Sequence, residues 1–270
     1  MLRHFAILSL TVGLLLAAHK ESNATITADT LVKHSTDGVL DDWDPSAFDI
    51  HEAMGIRMAA DNDADKLYVA MYIVNQDVQK RLMLGGMQLM IDTKAKKKES
   101  TYINFPIEKT AQEIAAYLSP KNTATTNDFQ VFRDQLSEGM LFLKKTGFKG
   151  QQFDTELQTI NLPNEININF GWDERSVLFI EYEIPFSKLG DKANLLNKPI
   201  TVGLKLAAVN LPAASDQPMK VSTKVIAMPM NGGMPSSANF GTSTTGFRTN
   251  QPINKSTIPE QMFWLKHQIY

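Results

Sequence analysis

Apolar and polar residues alternate with a period of two through most of the chain, which predicts β-strands. The segments with this alternation are residues 54–60, 67–74, 87–91, 166–172, 178–184, 202–208 and 263–269, with 102–107 and 221–226 as further candidates. Residues 67–74 are apolar on both faces, as is typical of a strand near the centre of a sheet. Many short strands with polar turns predict an all-β fold, an antiparallel β-sandwich of immunoglobulin-like or jelly-roll type.

Two segments interrupt the alternation. Residues 108–150 contain short helical patterns and predict a partly helical insertion in the β framework. Residues 228–259 are rich in Gly, Ser, Thr, Asn and Pro, with almost no apolar periodicity. Such a segment buries too little apolar surface to offset its ordering entropy, so the sequence predicts a flexible loop before the last strand.

The N-terminus has the pattern of a secretory signal peptide. Arg3 provides a basic start, residues 5–18 are mostly apolar, and Ser22-Asn23-Ala24 places small residues at the positions that signal peptidase reads. The apolar run is too short to span a bilayer comfortably, and no later segment approaches the ~20 apolar residues of a transmembrane helix. The prediction is therefore an exported protein.

Cleavage after Ala24, with Ala18 as the alternative, leaves residues 25–270 as a single domain behind a signal peptide of residues 1–24. The chain contains no Cys. A domain of this size folds without disulfides, so the lack of Cys suits a bacterial periplasm, although secretion into the medium stays open.

Charge argues against one class of partner. The chain has 27 basic and 29 acidic residues, a formal net charge of −2. This balance gives no long-range attraction to nucleic acid or to anionic lipid. The sequence leaves the oligomeric state open.

Four short segments resemble, in order, the family 9 carbohydrate-binding modules and the wider group of DOMON-like sandwiches. They are residues 37–43 (DGVLDDW), 63–70 (DADKLYVA), 90–92 (MID) and 181–189 (EYEIPFSKL). The resemblance covers about residues 31–209 and implies the same sandwich. It also implies that the protein binds a carbohydrate or glycan without acting on it.

Sugar rings have an apolar C–H face that stacks on aromatic side chains, so the three Trp residues are the candidate ligand-binding residues. Trp172 ends a strand beside the polar turn 173–175 and is the first choice, with core packing as its alternative. Trp43 either binds sugar or caps the core. Trp264 alternates out of phase with the apolar residues beside it and is expected to be half exposed.

Three carboxylates lie close together in the sequence, at Asp61, Asp63 and Asp65. Carboxylates are ligands that Ca²⁺ prefers. An EF-hand is excluded, because Lys66 and Tyr72 occupy the positions of its Gly and Glu. A polar turn is the default, and the family resemblance implies a structural calcium ion as the alternative. No other cofactor is predicted.

Motifs of catalysis are missing from the sequence. It contains neither a G-x-S-x-G elbow nor a phosphate-binding glycine loop, and His51-Glu52 lacks the second His of a zinc protease because Gly55 stands there. A carboxylate pair for glycoside hydrolysis stays open. The sequence therefore favours a binding protein over an enzyme.

Two alternatives to carbohydrate binding remain. One is a structural or partner-binding sandwich in a surface assembly. The other is a haem-binding electron-transfer sandwich, since some DOMON-like sandwiches hold haem through Met with His or Lys. The thirteen Met residues raise this alternative. Those on the predicted core strands, such as Met54, Met58 and Met71, are expected to fill the core instead.

Overall fold

The structure, a computed structural model, describes residues 33–117, 129–210 and 257–270. In chain order its strands are β1 (Asp49–His51), β2 (Ile56–Asn62), β3 (Lys66–Ile73), β4 (Met87–Asp92), β5 (Tyr102–Asn104), β6 (Phe142–Thr146), β7 (Thr155–Thr159), β8 (Asn167–Trp172), β9 (Leu178–Pro185), β10 (Pro199–Leu206), β11 (Val209–Asn210), β12 (Thr257–Ile258) and β13 (Gln261–Gln268). Its α-helices are α1 (Gln76–Gly85), α2 (Ala111–Tyr117), α3 (Phe129–Ser137) and α4 (Phe186–Leu189). The predicted signal peptide, the candidate strand 221–226 and residues 228–256 of the predicted loop lie outside the described residues.

Two antiparallel sheets form the sandwich. Sheet A has the strand order β1-β2-β3-β9-β8, and sheet B has the order β13-β10-β4-β5-β6-β7. A separate two-stranded ribbon joins β11 to β12. The all-β sandwich predicted from the alternation is confirmed. Strand β3, apolar on both faces in the sequence, is the middle strand of sheet A, as predicted.

The core lies between the two sheets and is built from the inward-facing positions of the alternating segments. Its fully or almost fully buried members include Ile56, Met58, Leu67, Val69, Met71, Ile73, Leu89, Ile91, Ile103, Ile168, Ile180, Tyr182, Val202 and Leu204. Burial of each large apolar side chain stabilises the fold by about 1.5–3 kcal/mol. The Met residues expected to fill the core, Met54, Met58 and Met71, all belong to this cluster.

Helix α1 was not predicted from the sequence. Asn75 caps its start, because the side-chain oxygen of Asn75 accepts hydrogen bonds from the N–H groups of Asp77 and Val78. Gly86 ends it with a φ of 77°. The helix buries Leu82 and Met83 against the core. Among the described residues, no helix is long and apolar enough to cross a membrane.

Helices α2 and α3 lie in the segment predicted as an insertion. The end of that segment is more regular than the prediction, since β6 pairs with both β5 and β7 inside sheet B. Strand β12 similarly falls within the last residues of the predicted loop. Both short strands lack a long alternating pattern, so only pairing with their neighbours reveals them.

Asn62 fastens the C-terminal strand of sheet B to strand β2 of sheet A. Its Nδ2 donates to the carbonyl oxygens of Asp63 and Tyr270, at 3.0 and 3.2 Å. Its Oδ1 accepts from the Tyr270 N–H at 3.3 Å and lies 3.0 Å from His267 Nε2. Because the amide N–H₂ group is committed to two carbonyls, His267 Nε2 is the donor to Oδ1. The imidazole is therefore bound in its Nε2-protonated form.

Lowering the pH from about 7.5 to 5 is expected to reduce the free energy of unfolding through His267. Burial lowers the pKa of His267 from its ordinary value of 6.5, against a smaller opposing effect of Asp61. In the unfolded chain His267 takes up a proton near pH 6.5, whereas in the folded protein it stays neutral to a lower pH. The free energy of unfolding therefore falls as the pH falls through this window. Urea denaturation across this range should show a shallower pH dependence for His267→Gln. An unchanged slope would contradict the assignment.

Candidate ligand-binding groove

Residues 33–48 cross the outer face of sheet A and are anchored there by Glu181. One Glu181 oxygen accepts from the N–H groups of Asp37 and Gly38, at 3.0 and 2.7 Å, and the other accepts from Trp43 Nε1 at 3.1 Å. Glu181 is 2% exposed. Burial raises the pKa of Glu181, although the three donors favour its ionised form. The first and the last of the four sequence segments thus meet through one carboxylate.

Trp43 packs on two small residues of the sheet. It forms a second buried cluster with Ala59, Ala70 and Tyr68, on the face of sheet A opposite the main core. The two Ala side chains leave room for the indole above the strands. Trp43 is 5% exposed and packs on the outer face of sheet A, so it does not cap the core between the sheets.

A close crossing of two glycines sets the path of the N-terminal segment. A Cβ on Gly38, whose φ is +85°, would lie 2.9 Å from the carbonyl carbon and oxygen of Phe170. A Cβ on Gly171 would lie 2.8 Å from the Gly38 oxygen. Both positions therefore require glycine, and the crossing holds residues 39–43 at one end of sheet A.

His34 makes the second anchor of this segment. It stacks on Trp43 with ring centroids 3.9 Å apart, and its Nε2 donates to Asp61 Oδ2 at 3.0 Å. Burial acts to raise the pKa of Asp61, but the hydrogen bonds from His34 and from the Asn62 N–H outweigh it and lower this pKa. Asp61 is thus held as a carboxylate that binds the N-terminal segment.

A groove of about 550 Å³ opens beside this segment at the end of sheet A. Its walls are mainly apolar, formed by Val39, Leu40, Trp43, Pro45, Phe48, Tyr72, Val74, Val177 and Phe179. Three of these, Phe48, Tyr72 and Phe179, are half-buried aromatic residues. Tyr72 and Phe179 lie directly opposite each other on β3 and β9, so their side chains share the outer face of the sheet.

Charged side chains complete the lining of the groove. They are Asp41, Asp173 and Arg175. Asp173 Oδ1 accepts from the N–H groups of Arg175 and Val177, at 2.9 and 2.8 Å, and so fixes the turn after β8. Asp41 and Arg175 are exposed, and within the described part of the chain their side chains make no hydrogen bond or ion pair. A free acceptor and a free donor thus stand beside the aromatic rings.

Trp172, the first-choice ligand residue, lies on the other face of the same hairpin. It pairs with the fully buried Leu178, packs against the main core and donates from Nε1 to Gln79 Oε1 at 2.9 Å. The turn that follows Trp172 does line the groove, but the indole does not. The strand alternation turns Trp172 inward and Phe179 outward.

Trp264 lies on the outer face of sheet B and is half-buried, as expected from its phase in the sequence. The structure therefore does not bring Trp43, Trp172 and Trp264 together. Trp43 borders the groove, Trp172 packs inward, and Trp264 belongs to the opposite sheet.

The three Asp residues considered for calcium have separate partners. Asp61 binds His34, as described above. Asp63 Oδ1 accepts from the N–H groups of Asp65 and Lys66, and its Oδ2 accepts from Tyr68. Asp65 pairs with Lys192 at 3.3 Å. In residues 33–117, 129–210 and 257–270, no group of three or more His, Asp or Glu side chains is placed to hold a metal ion. The calcium site stays a prediction from the resemblance.

Comparison with known proteins shows no family for this chain. No protein-family model matches the chain, and no curated protein matches it. Among solved structures, the chain is similar to a carbohydrate-binding module of family 9 from Caldicellulosiruptor kristjanssonii in complex with glucose. The identity is 8%, the match covers 66% of this chain and 75% of that chain, and the TM-score is 0.30. A likeness at this level assigns no function to the chain.

Proposed function

We propose that the protein binds carbohydrate, without catalysis, in the groove at the end of sheet A. The observation that carries this proposal is the set of three half-buried rings, Phe48, Tyr72 and Phe179, beside Asp41 and Arg175, whose side chains have no polar partner among the described residues. Export, which the N-terminal sequence pattern supports, would bring such a protein into contact with glycans outside the cytoplasm.

The chemistry of a sugar fits both parts of the lining. Its C–H face stacks on an aromatic ring, and Tyr72 and Phe179 provide adjacent rings on one face of the sheet. Its hydroxyl groups both donate and accept, so a carboxylate such as Asp41 and a guanidinium such as Arg175 each find a partner. The volume of about 550 Å³ lies within the range of small-ligand sites, which suits one or two sugar units.

Arg57 packs over the face of the Tyr72 ring. Its guanidinium lies 5.1 Å from the centroid of the Tyr72 ring, on the neighbouring strand β2. A cation at this distance is attracted to the ring and restricts its orientation. The Tyr72 ring is therefore held in place before a ligand arrives, which reduces the entropy cost of binding.

Tyr72→Ala and Phe179→Ala are expected to weaken glycan binding by about tenfold or more each, since a stacking contribution of about 1.4 kcal/mol corresponds to a factor of ten. A glycan array would identify the ligand, and titration calorimetry would measure the affinities. Tyr72→Phe should retain most of the affinity because it keeps the ring.

Phe153→Ala serves as the matched control. Phe153 is 71% exposed and does not line the groove, so its removal should leave both affinity and stability unchanged. The proposal fails if the wild-type protein retains no glycan, or if the Tyr72 and Phe179 variants bind as tightly as the Phe153 variant.

A further inference from the structure

Trp264 lies flat on strand β10, over Gly203. The two residues are opposite each other in the pairing of β13 with β10. A Cβ on Gly203 would lie 2.6, 2.7 and 2.8 Å from Cε3, Cζ3 and Cδ2 of the indole. Nearly equal distances to three consecutive ring atoms place that point over the face of the ring, not beyond its edge. Because a Cβ points away from the sheet, the indole lies parallel to the sheet with its other face outward.

Glycine at position 203 is what allows this arrangement. Any side chain there would occupy the space of the indole and push it off the sheet. Glycine in a strand interior weakens the strand, and it often marks a place where another group approaches the backbone closely. Here the group is the half-exposed indole of Trp264.

The residues paired across the strands with Trp264 and Gly203 lead to a second aromatic ring. Gly203 pairs with Met90 on β4, and Met90 pairs with Tyr102 on β5. Met90 is fully buried and belongs to neither apolar cluster, so it lies beneath its neighbours on the outer face, between the two rings. Tyr102 is half-buried. Three strand spacings separate β13 from β5, which puts the two backbones about 14 Å apart.

Polar side chains line the next row. Gln88 pairs with Lys205 on one side and with Asn104 on the other, and these three residues border a cleft of about 280 Å³. The Oδ1 atom of Asn104 is buried with no hydrogen-bond partner within the described part of the chain. Buried acceptors are usually hydrogen-bonded. A ligand hydroxyl that reached the bottom of the cleft would donate to this oxygen.

Most charges of this face are paired within the described residues, but Lys266, two residues after Trp264 on β13, is exposed and makes no ion pair there. Lys205 lies 3.1 Å from Glu99 and 3.3 Å from Glu260, and Lys144 lies 2.9 Å from Glu108. The groups left for a ligand are therefore two aromatic rings, neutral amides and the Lys266 ammonium. Rings and amides fit a polyhydroxylated chain, whose hydroxyl groups can also accept from the Lys266 ammonium.

We propose that the outer face of sheet B, from Trp264 across Met90 to Tyr102, is a second binding surface and takes an extended polysaccharide chain. This inference rests on the proposed function for its class of ligand, a carbohydrate. The second site lies on sheet B instead of sheet A, and its ligand is an extended chain. The groove has room for one or two sugar units, whereas this face runs across four strands, from β13 to β5.

The test uses insoluble cellulose, chitin and xylan as the polysaccharides and their soluble disaccharides as the short ligands. Trp264→Ala and Tyr102→Ala are expected to reduce polysaccharide affinity by about tenfold or more and to leave disaccharide affinity within about twofold. Gly203→Ala is expected to act in the same direction while keeping both rings, because its methyl group displaces the indole. Intrinsic fluorescence should report that displacement, and thermal unfolding shows whether each variant is folded.

Each outcome decides the proposal. Polysaccharide binding that survives all three folded variants but is lost in Tyr72→Ala would overturn this inference and leave the groove proposal standing. Loss of polysaccharide binding in the Trp264 variant with disaccharide binding absent from the wild type would support this face and overturn the groove. A wild type that binds none of the polysaccharides, or a Trp264 variant that changes only the oligomeric state in size-exclusion chromatography, would show that the face does not bind glycan.

Discussion

Replacing Glu181 by alanine is expected to lower the free energy of unfolding by about 3–5 kcal/mol, because three donors lose their common acceptor and each unpaired buried donor costs about 1–3 kcal/mol. The donors are the N–H groups of Asp37 and Gly38 and the indole N–H of Trp43. Removing a carboxylate whose burial is itself unfavourable offsets part of this loss. Urea denaturation monitored by Trp fluorescence measures the change.

The same substitution should also weaken ligand binding in the groove. Glu181 holds the segment that carries Asp41 and Phe48, and both residues line the groove. Glu183→Ala is a matched control on the same strand and the same face. Glu183 pairs with the partly exposed Lys66 at 2.6 Å, so its loss should cost no more than about 1 kcal/mol. Equal effects of the two substitutions would show that Glu181 does not anchor the segment.

Trp172→Ala is expected to cost about 3–5 kcal/mol of stability, the usual range for removing a large aromatic side chain from a core. The indole packs against the main core, and its loss also leaves the buried Gln79 Oε1 without a donor. Glycan affinity of the folded fraction should stay unchanged, because the indole lies on the face of the hairpin away from the groove. Thermal unfolding and calorimetric titration together separate the two effects.

Trp172→Phe provides the control for the hydrogen bond. It keeps a ring in the core but removes the Nε1 donor, so its cost should be smaller than that of Trp172→Ala. If Trp172→Ala abolished glycan binding while leaving stability almost unchanged, the indole would be a binding platform and the assignment to the core would be wrong.

Alternation along the chain was sufficient to predict the sandwich because burial between two sheets imposes a period of two on each strand. It also predicted the central position of β3, since only a strand covered on both faces needs Val69 and Tyr68 in consecutive positions. Helix α1 was not predicted, because it is short and its start depends on a single capping residue, Asn75. Gly85-Gly86 after an apolar run was the available signal for its end.

The groove could not be read from the same alternation. Tyr72 and Phe179 are separated by more than a hundred residues, and only the register of β3 with β9 makes them neighbours. An outward-facing aromatic residue on each of two predicted strands was the signal in the sequence, but it did not say which strands are adjacent. The Trp residues were more conspicuous, yet one of them, Trp172, faces inward.

The sequence by itself determined which residues face the core, and it contained both ends of the anchor, in DGVLDDW and EYEIPFSKL. These features follow from local periodicity and short motifs, which need no knowledge of distant contacts. Only the tertiary structure decided that Glu181 binds the first segment, that Trp264 lies over Gly203, and that the rings of Tyr72 and Phe179 share a groove. Strand order and register decide these contacts, because hydrogen-bonded pairing joins residues that the chain keeps far apart.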